Sequence, residues 1–115
     1  MELKTRDGPV AYISSPYSGD IKVNTEKTKT YSLFAIREGA VPLNPILNLM
    51  DVLDEKTDRD TALGIDLALL KLVDEIWIFG NPTDGMLLEI EEAGKLGKKL
   101  RWFTEDMEEL EHGNA

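Results

Sequence analysis

The stretch DEIWIFGNPTDGMLLEIEEAGKLGKKLRWF, residues 74–103, has the pattern of a strand, a turn, a helix and a second strand. Residues 74–80 are rich in β-branched and aromatic side chains and end at a glycine, which predicts a buried strand. Residues 86–96 carry apolar side chains at helical spacing, and Gly97 supplies a helix stop signal. Residues 99–103 predict the second strand. This order favours two parallel strands joined by a right-handed crossover helix.

The same alternation continues towards both ends of the chain. Residues 10–14, VAYIS, predict the first strand, which runs into the loop SPYSGD. The other predicted elements are a helix over residues 24–38, a strand within residues 40–45, a short helix or ordered loop over residues 46–56, a helix from Asp58 as N-cap to about Val73, and a final short helix over residues 104–111 with Thr104 as N-cap.

We therefore predict an α/β fold, a flavodoxin-like or Rossmann-like three-layer sandwich with a mainly parallel sheet of about four to five strands. The chain has 115 residues, of which 42% are hydrophobic, so residues 1–115 are expected to form a single domain. Sheets of this type bind ligands beyond the carboxyl ends of their strands. The expected ligand loops begin at Ser14, Asn44 and Gly80.

Composition excludes several classes of chemistry. The chain has no cysteine, and its only histidine, His112, stands beside an acidic run, where a solvated tail residue is expected. This argues against a cysteine nucleophile, a Ser-His-Asp triad and a histidine-rich metal centre, and no metal or organic cofactor is expected. The net charge of −9 disfavours a nucleic-acid polymer as partner. No stretch has the character of a membrane span or signal peptide, so a cytoplasmic location is expected.

One carboxylate of the helix predicted from Asp58 lies on its apolar face. At about 100° per residue, Asp66 falls between Val73 and Leu70 on the apolar arc of this helix. An unpaired buried carboxylate is costly, so it must find hydrogen bonds, shift its pKa or face a polar cavity. Asp66 is therefore a candidate functional residue, and the alternative is that it caps a loop or pairs with an arginine.

A second carboxylate is out of place on the helix predicted over residues 86–96. The apolar face of that helix consists of Met86, Ile90 and Ala93. Glu89 projects at the border of this face, whereas Glu91 and Glu92 project towards solvent. Glu89 also lies in the first turns of its helix, where free N–H groups and the positive end of the helix dipole favour an anion. This makes Glu89 a candidate nucleophile or ligand contact.

Asp66 and Glu89 belong to helices that flank the same predicted strand, so both acids can converge on one pocket. Two carboxylates without a histidine suit chemistry at an acetal-like carbon, where one acid attacks or stabilises an oxocarbenium-like state and another group assists the leaving group. The loop SSPYSG, residues 14–19, adds hydroxyl and N–H groups suited to a phosphate or sugar, although a plain polar turn has the same composition.

These blocks resemble the nucleoside 2-deoxyribosyltransferase superfamily, especially its small bacterial and phage members, and more distantly the 2′-deoxynucleoside 5′-monophosphate N-glycosidases. The resemblance runs through AYISSPYSG (residues 11–19), PLNP (residues 42–45), IDLALLKLVDEIWIFG (residues 65–80) and TDGMLLEIEEAGKLGKK (residues 83–99). It implies that Glu89 attacks the anomeric carbon to form a covalent glycosyl-enzyme. It also implies that Asp66 orients the sugar or manages the proton of the base, and that Tyr12 lies near the nucleophile.

Three positions differ from the pattern of these relatives. Thr83 stands where they carry Asp or Ser, Ser15 where they usually have Gly, and Ser18 where the monophosphate glycosidases place an arginine. The residues expected to contact the ligand are Ser14, Ser15, Pro16, Tyr17, Ser18, Gly19, Asn44, Gly80, Thr83, Asp84, Gly85 and Met86.

The leading hypothesis is a nucleoside- or nucleotide-binding protein that cleaves or transfers at the N-glycosidic bond through Glu89. The alternative is a non-catalytic protein that binds or sequesters a nucleotide or an ADP-ribose-like metabolite, as a phage or defence-related member would. The resemblance further implies a homodimer or higher homo-oligomer, because relatives complete the pocket with a neighbouring subunit. The base, the sugar and the phosphate state of the ligand stay open.

Overall fold

A computed structural model describes residues 2–111 of the chain, so His112 lies outside the described residues. The helices are α1 (Ile21–Arg37), α2 (Pro45–Leu49), α3 (Arg59–Leu69) and α4 (Asp84–Lys95), and the strands are β1 (Val10–Ser14), β2 (Val41–Leu43), β3 (Glu75–Phe79), β4 (Lys99–Phe103) and β5 (Glu109–Leu110). A single 3-10 turn, Leu70–Leu72, continues α3. Within this range no helix combines the length and the apolar character needed to cross a membrane.

The five strands form one sheet in the order β2-β1-β3-β4-β5. The first four strands are parallel and β5 runs antiparallel to β4. Helix α1 packs on one face of the sheet, while α3 and α4 pack on the other. This confirms the predicted α/β fold with a mainly parallel sheet between two helical layers.

Alternation along the strands divides the core into two clusters, because successive side chains of a strand point to opposite faces. Trp77 and Phe79 of β3 face α1, where the ring of Tyr31 stacks on Phe79 with centroids 4.2 Å apart. Ile76 and Ile78 face α3 and α4. Each fully buried side chain of this size contributes about 1.5–3 kcal/mol to folding. The sheet is therefore anchored on both faces, and Trp77 belongs to the core.

Two helices begin earlier than their apolar periodicity indicates, because polar caps start them. The Asp20 carboxylate accepts a hydrogen bond from the Val23 backbone N–H at 3.1 Å, so α1 begins at Ile21 and not near residue 24. The Thr83 hydroxyl oxygen accepts from the Met86 backbone N–H at 3.3 Å, so α4 begins at Asp84. Both loops that carry candidate ligand contacts are thereby fixed to a helix.

The N-cap hydrogen bond predicted for Asp58 at the start of α3 is wrong. Asp58 stands at the N-cap position, but its carboxylate makes no cap hydrogen bond and accepts instead from the Asp54 backbone N–H at 2.8 Å. The predicted strand within residues 40–45 ends at Leu43, because Asn44 caps α2. Residues 45–49 of the ambiguous segment are helical, and turns follow them.

The final helix predicted over residues 104–111 is also wrong, because the chain turns back to form β5. The Thr104 hydroxyl oxygen accepts from the backbone N–H groups of Asp106 and Glu108, both at 3.2 Å, which closes a tight turn and not a helix. Arg101 of β4 then donates two hydrogen bonds of 2.7 Å to the Glu109 carboxylate. Pairing with the open edge of β4 therefore outweighs the local helical tendency of the acidic run.

Candidate active site

The candidate site lies where the strand order reverses. The crossover after β1 leads outwards to β2, and the crossover after β3 leads the other way to β4. The two helices that follow β1 and β3 therefore diverge, and a crevice opens at the carboxyl ends of these strands, which is the usual ligand position in such sheets. Glu89 of α4 and Asp66 of α3 both line this crevice.

Glu89 is buried, with 6% of its surface exposed, and is held by two residues of β1. The Tyr12 hydroxyl donates a short hydrogen bond to Glu89 Oε2, and the Ser14 hydroxyl donates to Oε1 at 2.9 Å. Tyr12 and Ser14 alternate along the strand and so point to the same face of the sheet. Both oxygens of the buried carboxylate are therefore oriented by fixed donors.

The Asp66 carboxyl group lies beside that of Glu89, and each group acts on the pKa of the other. Burial, followed by the negative charge of Glu89, raises the pKa of Asp66 to about 8. Asp66 is therefore protonated at neutral pH. Its oxygen Oδ1 is buried and has no hydrogen-bond partner within residues 2–111. A buried oxygen without a partner is costly, which points to a ligand group as its partner.

Burial also raises the pKa of Glu89, although the hydrogen bonds from Tyr12, Ser14 and Asp66 oppose this effect. The pKa of the Tyr12 hydroxyl lies well above its usual range, because the group is buried beside the two acids. Tyr12 therefore stays protonated and remains a donor. The arrangement gives a carboxylate, Glu89, that accepts from Tyr12 and Ser14, and a carboxylic acid, Asp66, beside it.

A cavity of about 150 Å³ opens over this pair. Its buried end includes Glu89, Asp66 and Met86. An apolar wall is formed by α2, by the segment after it and by α3, through Pro45, Ile46, Leu49, Met50, Leu53, Ala62 and Leu63. The exposed rim carries Tyr17, Ser18, Asp54, Glu55 and Arg59. The cavity thus joins an acidic end, suited to a polar reacting group, to an apolar chamber that suits an aromatic ring.

Several of the predicted contact residues meet in this cavity. Those that line it are Ser15, Tyr17, Ser18, Thr83, Gly85 and Met86, together with the predicted catalytic residues Asp66 and Glu89. Ser14 and Tyr12 do not line the cavity and contribute through their bonds to Glu89. Thr83 has a second role, because its hydroxyl oxygen is the N-cap acceptor of α4.

Other predicted contacts lie elsewhere. Asn44 faces α1, where its side-chain amide donates to the hydroxyl oxygens of Thr28 at 3.0 Å and Ser32 at 2.9 Å. It therefore holds α1 against the start of α2. Asp84 is exposed in the first turn of α4, and Gly19 has a φ of 99° in the turn before α1.

Pro16 and Gly80 border a second cavity of about 160 Å³ on the α1 side of the sheet. This cavity also has Asn24, Lys27, Tyr31, Asn81 and Glu105 in its lining. The Lys27 ammonium group and the Glu105 carboxylate form an ion pair of 2.7 Å at its edge. The loops after β1 and β3 thus serve two cavities, and only one of them contains the acid pair.

The sequence interpretation missed the wall and part of the rim. Glu55 and Arg59 line the cavity, as does the apolar face of residues 45–53. The run ILNLMDVLDEK has many apolar side chains but no clear period, so its role as a wall was not predictable. Within the described residues no group of three acidic, histidine or cysteine side chains is arranged to hold a metal ion.

Comparisons with known proteins agree with this architecture. A family model described as "Domain of unknown function (DUF7768)" matches residues 9–103. Among curated proteins, none matches the chain. Several solved structures share the fold, including the following three. The first is a 2-deoxyribosyltransferase from Bacillus psychrosaccharolyticus, with 19% identity, a TM-score of 0.66 and coverage of 83% of this chain and 72% of that chain.

The second is the CMP N-glycosidase BcmB from Clostridium botulinum, with 17% identity, a TM-score of 0.56 and coverage of 83% of this chain and 71% of that chain. The third is a 2-deoxyribosyltransferase from Leishmania mexicana, with 19% identity and a TM-score of 0.59. The match covers 83% of this chain and 63% of that chain. The predicted resemblance to the 2-deoxyribosyltransferases is therefore confirmed at the level of the fold.

Proposed function

Because the chain belongs to the domain family of unknown function DUF7768, its site must indicate its activity, and we propose that it cleaves or transfers at the N-glycosidic bond of a nucleoside or nucleotide. Glu89 is the nucleophile and Asp66 the acid. The observation that carries this proposal is the adjacent pair of one carboxylate and one carboxylic acid at the buried end of the cavity. The deoxyribosyltransferases and the CMP N-glycosidase of the same fold support it.

The first step forms a glycosyl ester. The Glu89 carboxylate oxygen attacks the anomeric carbon while the bond from that carbon to the base nitrogen breaks, and the bonding electrons leave with the base. Asp66 transfers its proton to the departing base. A proton donor lowers the barrier of such a step by neutralising the charge on the leaving group, typically by about 10²–10⁴-fold in rate. Glu89 ends as a neutral ester and Asp66 as a carboxylate.

The second step regenerates the pair. A water molecule or a second base attacks the anomeric carbon, and the ester bond to Glu89 breaks. The attacking group loses a proton to the Asp66 carboxylate, so both residues return to their starting states. Water gives a free sugar by hydrolysis, and a base gives a new nucleoside by transfer.

The closeness of the two acids favours this covalent route over direct attack by water. Enzymes that displace a glycosidic bond by direct water attack separate their two carboxyl groups by about 6.5–9.5 Å to leave room for the water. Asp66 and Glu89 instead lie side by side in the cavity and act on each other's pKa. This proximity supports the covalent route.

Asp66 supplies the acid that Thr83 lacks. The hydroxyl oxygen of Thr83 accepts from the start of α4, and a threonine hydroxyl is a weak acid in any case. Asp66 has a raised pKa and an oxygen without a partner among the described residues, so it is the better donor to a ligand. The substitution at position 83 is thus compatible with catalysis.

The test is incubation of the pure protein with 2′-deoxynucleosides and their 5′-monophosphates, followed by chromatography of the released base. Glu89→Gln is expected to lower base release by about a thousandfold or more, as expected when a nucleophile is removed. Glu91→Gln is the matched control, because Glu91 is exposed on the same helix and only pairs with Lys95. Intact-protein mass spectrometry should detect a sugar adduct on the wild type that Glu89→Gln lacks.

Absence of base release and exchange from every substrate would contradict the enzymatic proposal. Tight binding of a nucleotide without turnover would instead favour the non-catalytic alternative. Base release that Glu89→Gln leaves unchanged would contradict the assigned nucleophile.

A further inference from the structure

The rim of the cavity carries one available carboxylate and one available guanidinium group. Arg59 is the only cation that lines the cavity, and no carboxylate of residues 2–111 lies within ion-pair distance of it. Glu55 is half-buried beside it. The Ser18 hydroxyl donates to Glu55 Oε1 at 2.8 Å, which orients the carboxylate and leaves Oε2 free to accept another hydrogen bond.

The turn between α2 and α3 fixes the positions of these two groups. Asp54 Oδ1 accepts from the backbone N–H groups of Lys56 at 2.8 Å and Thr57 at 2.9 Å, so the turn uses this oxygen of the Asp54 carboxylate. The Asp58 carboxylate closes the same turn through the Asp54 backbone N–H. Glu55 and Arg59 are therefore the charged groups of the rim that the turn does not use.

The distance along α3 from Asp66 to Arg59 is similar to the length of a nucleoside. Arg59 and Asp66 are seven positions apart on α3, so they lie on the same helical face and about 10 Å apart along the axis. An anomeric carbon beside Glu89 and Asp66 directs its base along the apolar wall towards the rim. The far edge of the base then meets Glu55 and Arg59.

Resting on the function proposed above, we propose that Glu55 and Arg59 select the base: Glu55 accepts a hydrogen bond from an exocyclic amine and Arg59 donates to the adjacent ring nitrogen. Adenine and cytosine present this donor and acceptor side by side. Their deaminated counterparts, hypoxanthine and uracil, invert the pattern, because the amine becomes a carbonyl and the ring nitrogen gains a proton. A carbonyl oxygen then faces the carboxylate and an N–H group faces the guanidinium.

The preference is measurable by calorimetry on the intact chain. 2′-Deoxyadenosine is compared with 2′-deoxyinosine, and 2′-deoxycytidine with 2′-deoxyuridine. In the ring class that the cavity accepts, we expect the amino member to bind about tenfold or more tightly, since a well-aligned pair of hydrogen bonds to a base edge discriminates by at least that factor. Equal binding, or tighter binding of the deaminated member, would overturn the proposal.

Two variants assign the preference to the two residues. Glu55→Gln is expected to bring the ratio close to one, because an amide also donates to a carbonyl oxygen, whereas Glu91→Gln leaves the ratio unchanged. Arg59→Gln is expected to weaken binding of the amino member, whereas Arg37→Gln on α1 does not. A Glu55→Gln variant that weakens both members of a pair equally would overturn the role of Glu55.

A phosphate at the rim is the competing assignment for Arg59. If 2′-deoxyadenosine 5′-monophosphate binds more tightly than the nucleoside and Arg59→Gln removes only that gain, Arg59 recognises phosphate and the proposal fails. Failure of the proposed function is distinguishable from failure of this inference. A base preference without base release leaves the inference standing, and base release without a preference leaves only the proposed function.

Discussion

The carboxyl group of Asp66 on α3 lies beside that of Glu89 on α4 in one cavity, and Asp66 holds a proton at neutral pH. Burial and the charge of Glu89 keep that proton on Asp66, whereas Glu89 has the further donors Tyr12 and Ser14. The proposed chemistry needs this distribution, with a charged nucleophile and a neutral acid. The pH at which the distribution is lost therefore sets the limit of activity.

Activity is expected to fall as the pH rises through about 8. Asp66 has a pKa of about 8, so above this pH it has no proton to transfer to the leaving base. The Asp66→Asn variant is expected to be slower by about a hundredfold or more and to lack this alkaline decline. The measurement is kcat/KM for base release across the neutral and alkaline range.

Asp60→Asn is the control for that profile, because Asp60 is exposed on the same helix and changes the charge by the same amount. It should retain the wild-type decline. A wild-type profile that stays level well above pH 8, or a decline that persists in Asp66→Asn, would contradict the assignment.

The stability of the folded protein, like its activity, is expected to decrease as the pH rises. The folded-state pKa of Asp66 is raised from 3.8 to about 8, so the folded protein retains a proton that the unfolded chain has lost between these values. The free energy of unfolding therefore decreases as the pH rises through this window and levels off above about 8. The site therefore lowers the stability of the folded protein at high pH, since its environment disfavours the charged form of Asp66.

Urea unfolding of the wild type and of Asp66→Asn at pH 6 and at about pH 9 isolates this effect. The side-chain amide that Asp66→Asn introduces keeps a donor towards Glu89 at every pH, and the other titrating groups are common to both proteins. We expect the difference in the free energy of unfolding to move in favour of the variant at the higher pH. A difference that does not change with pH would show that Asp66 is already ionised in the folded protein.

Tyr12→Phe is expected to shift the acidic limb of the activity profile to higher pH. The hydroxyl donates to Glu89 and so opposes the rise in its pKa that burial causes. Without it, Glu89 holds a proton up to a higher pH. A hydrogen bond to a charged group contributes about 1.5–3 kcal/mol, so the loss of kcat at low pH should be about tenfold or more.

Tyr31→Phe is the matched control, because Tyr31 stacks in the opposite core cluster and makes no bond to the acid pair. It should leave the acidic limb unchanged. An equal loss of activity in Tyr12→Phe at every pH would indicate a packing role in place of the proposed electrostatic one.

Helical phase explains how much of the site was predictable. Asp66 and Glu89 stand out in the sequence because each carboxyl group interrupts an apolar face. Tyr12 and Glu89 are 77 positions apart, and local patterns carry no information about such a pair, so only the family resemblance indicated that Tyr12 is near the nucleophile. Glu55 and Arg59 were missed because backbone hydrogen bonds of a turn, and not periodicity, place them.

The fold was predictable for the same reason, since strand and helix periods are local. The last element, β5, was not predictable from the sequence. The acidic run after Thr104 is compatible with a helix, and only its pairing with the edge strand β4 and with Arg101 makes it a strand. A homo-oligomer, a cytoplasmic location and the extent of the domain stay predictions.

Thr83→Ala is expected to affect stability more than catalysis. The hydroxyl oxygen of Thr83 caps α4, and replacing such a cap by alanine costs about 1 kcal/mol, which corresponds to about 4 °C in Tm for a chain of this size. Thr83→Ser keeps the cap and should match the wild type. Base release by Thr83→Ala, measured well below its Tm, should stay within a few-fold of the wild type, because Asp66 supplies the proton. A variant that keeps its Tm but loses base release would mean that Thr83 acts on the ligand itself.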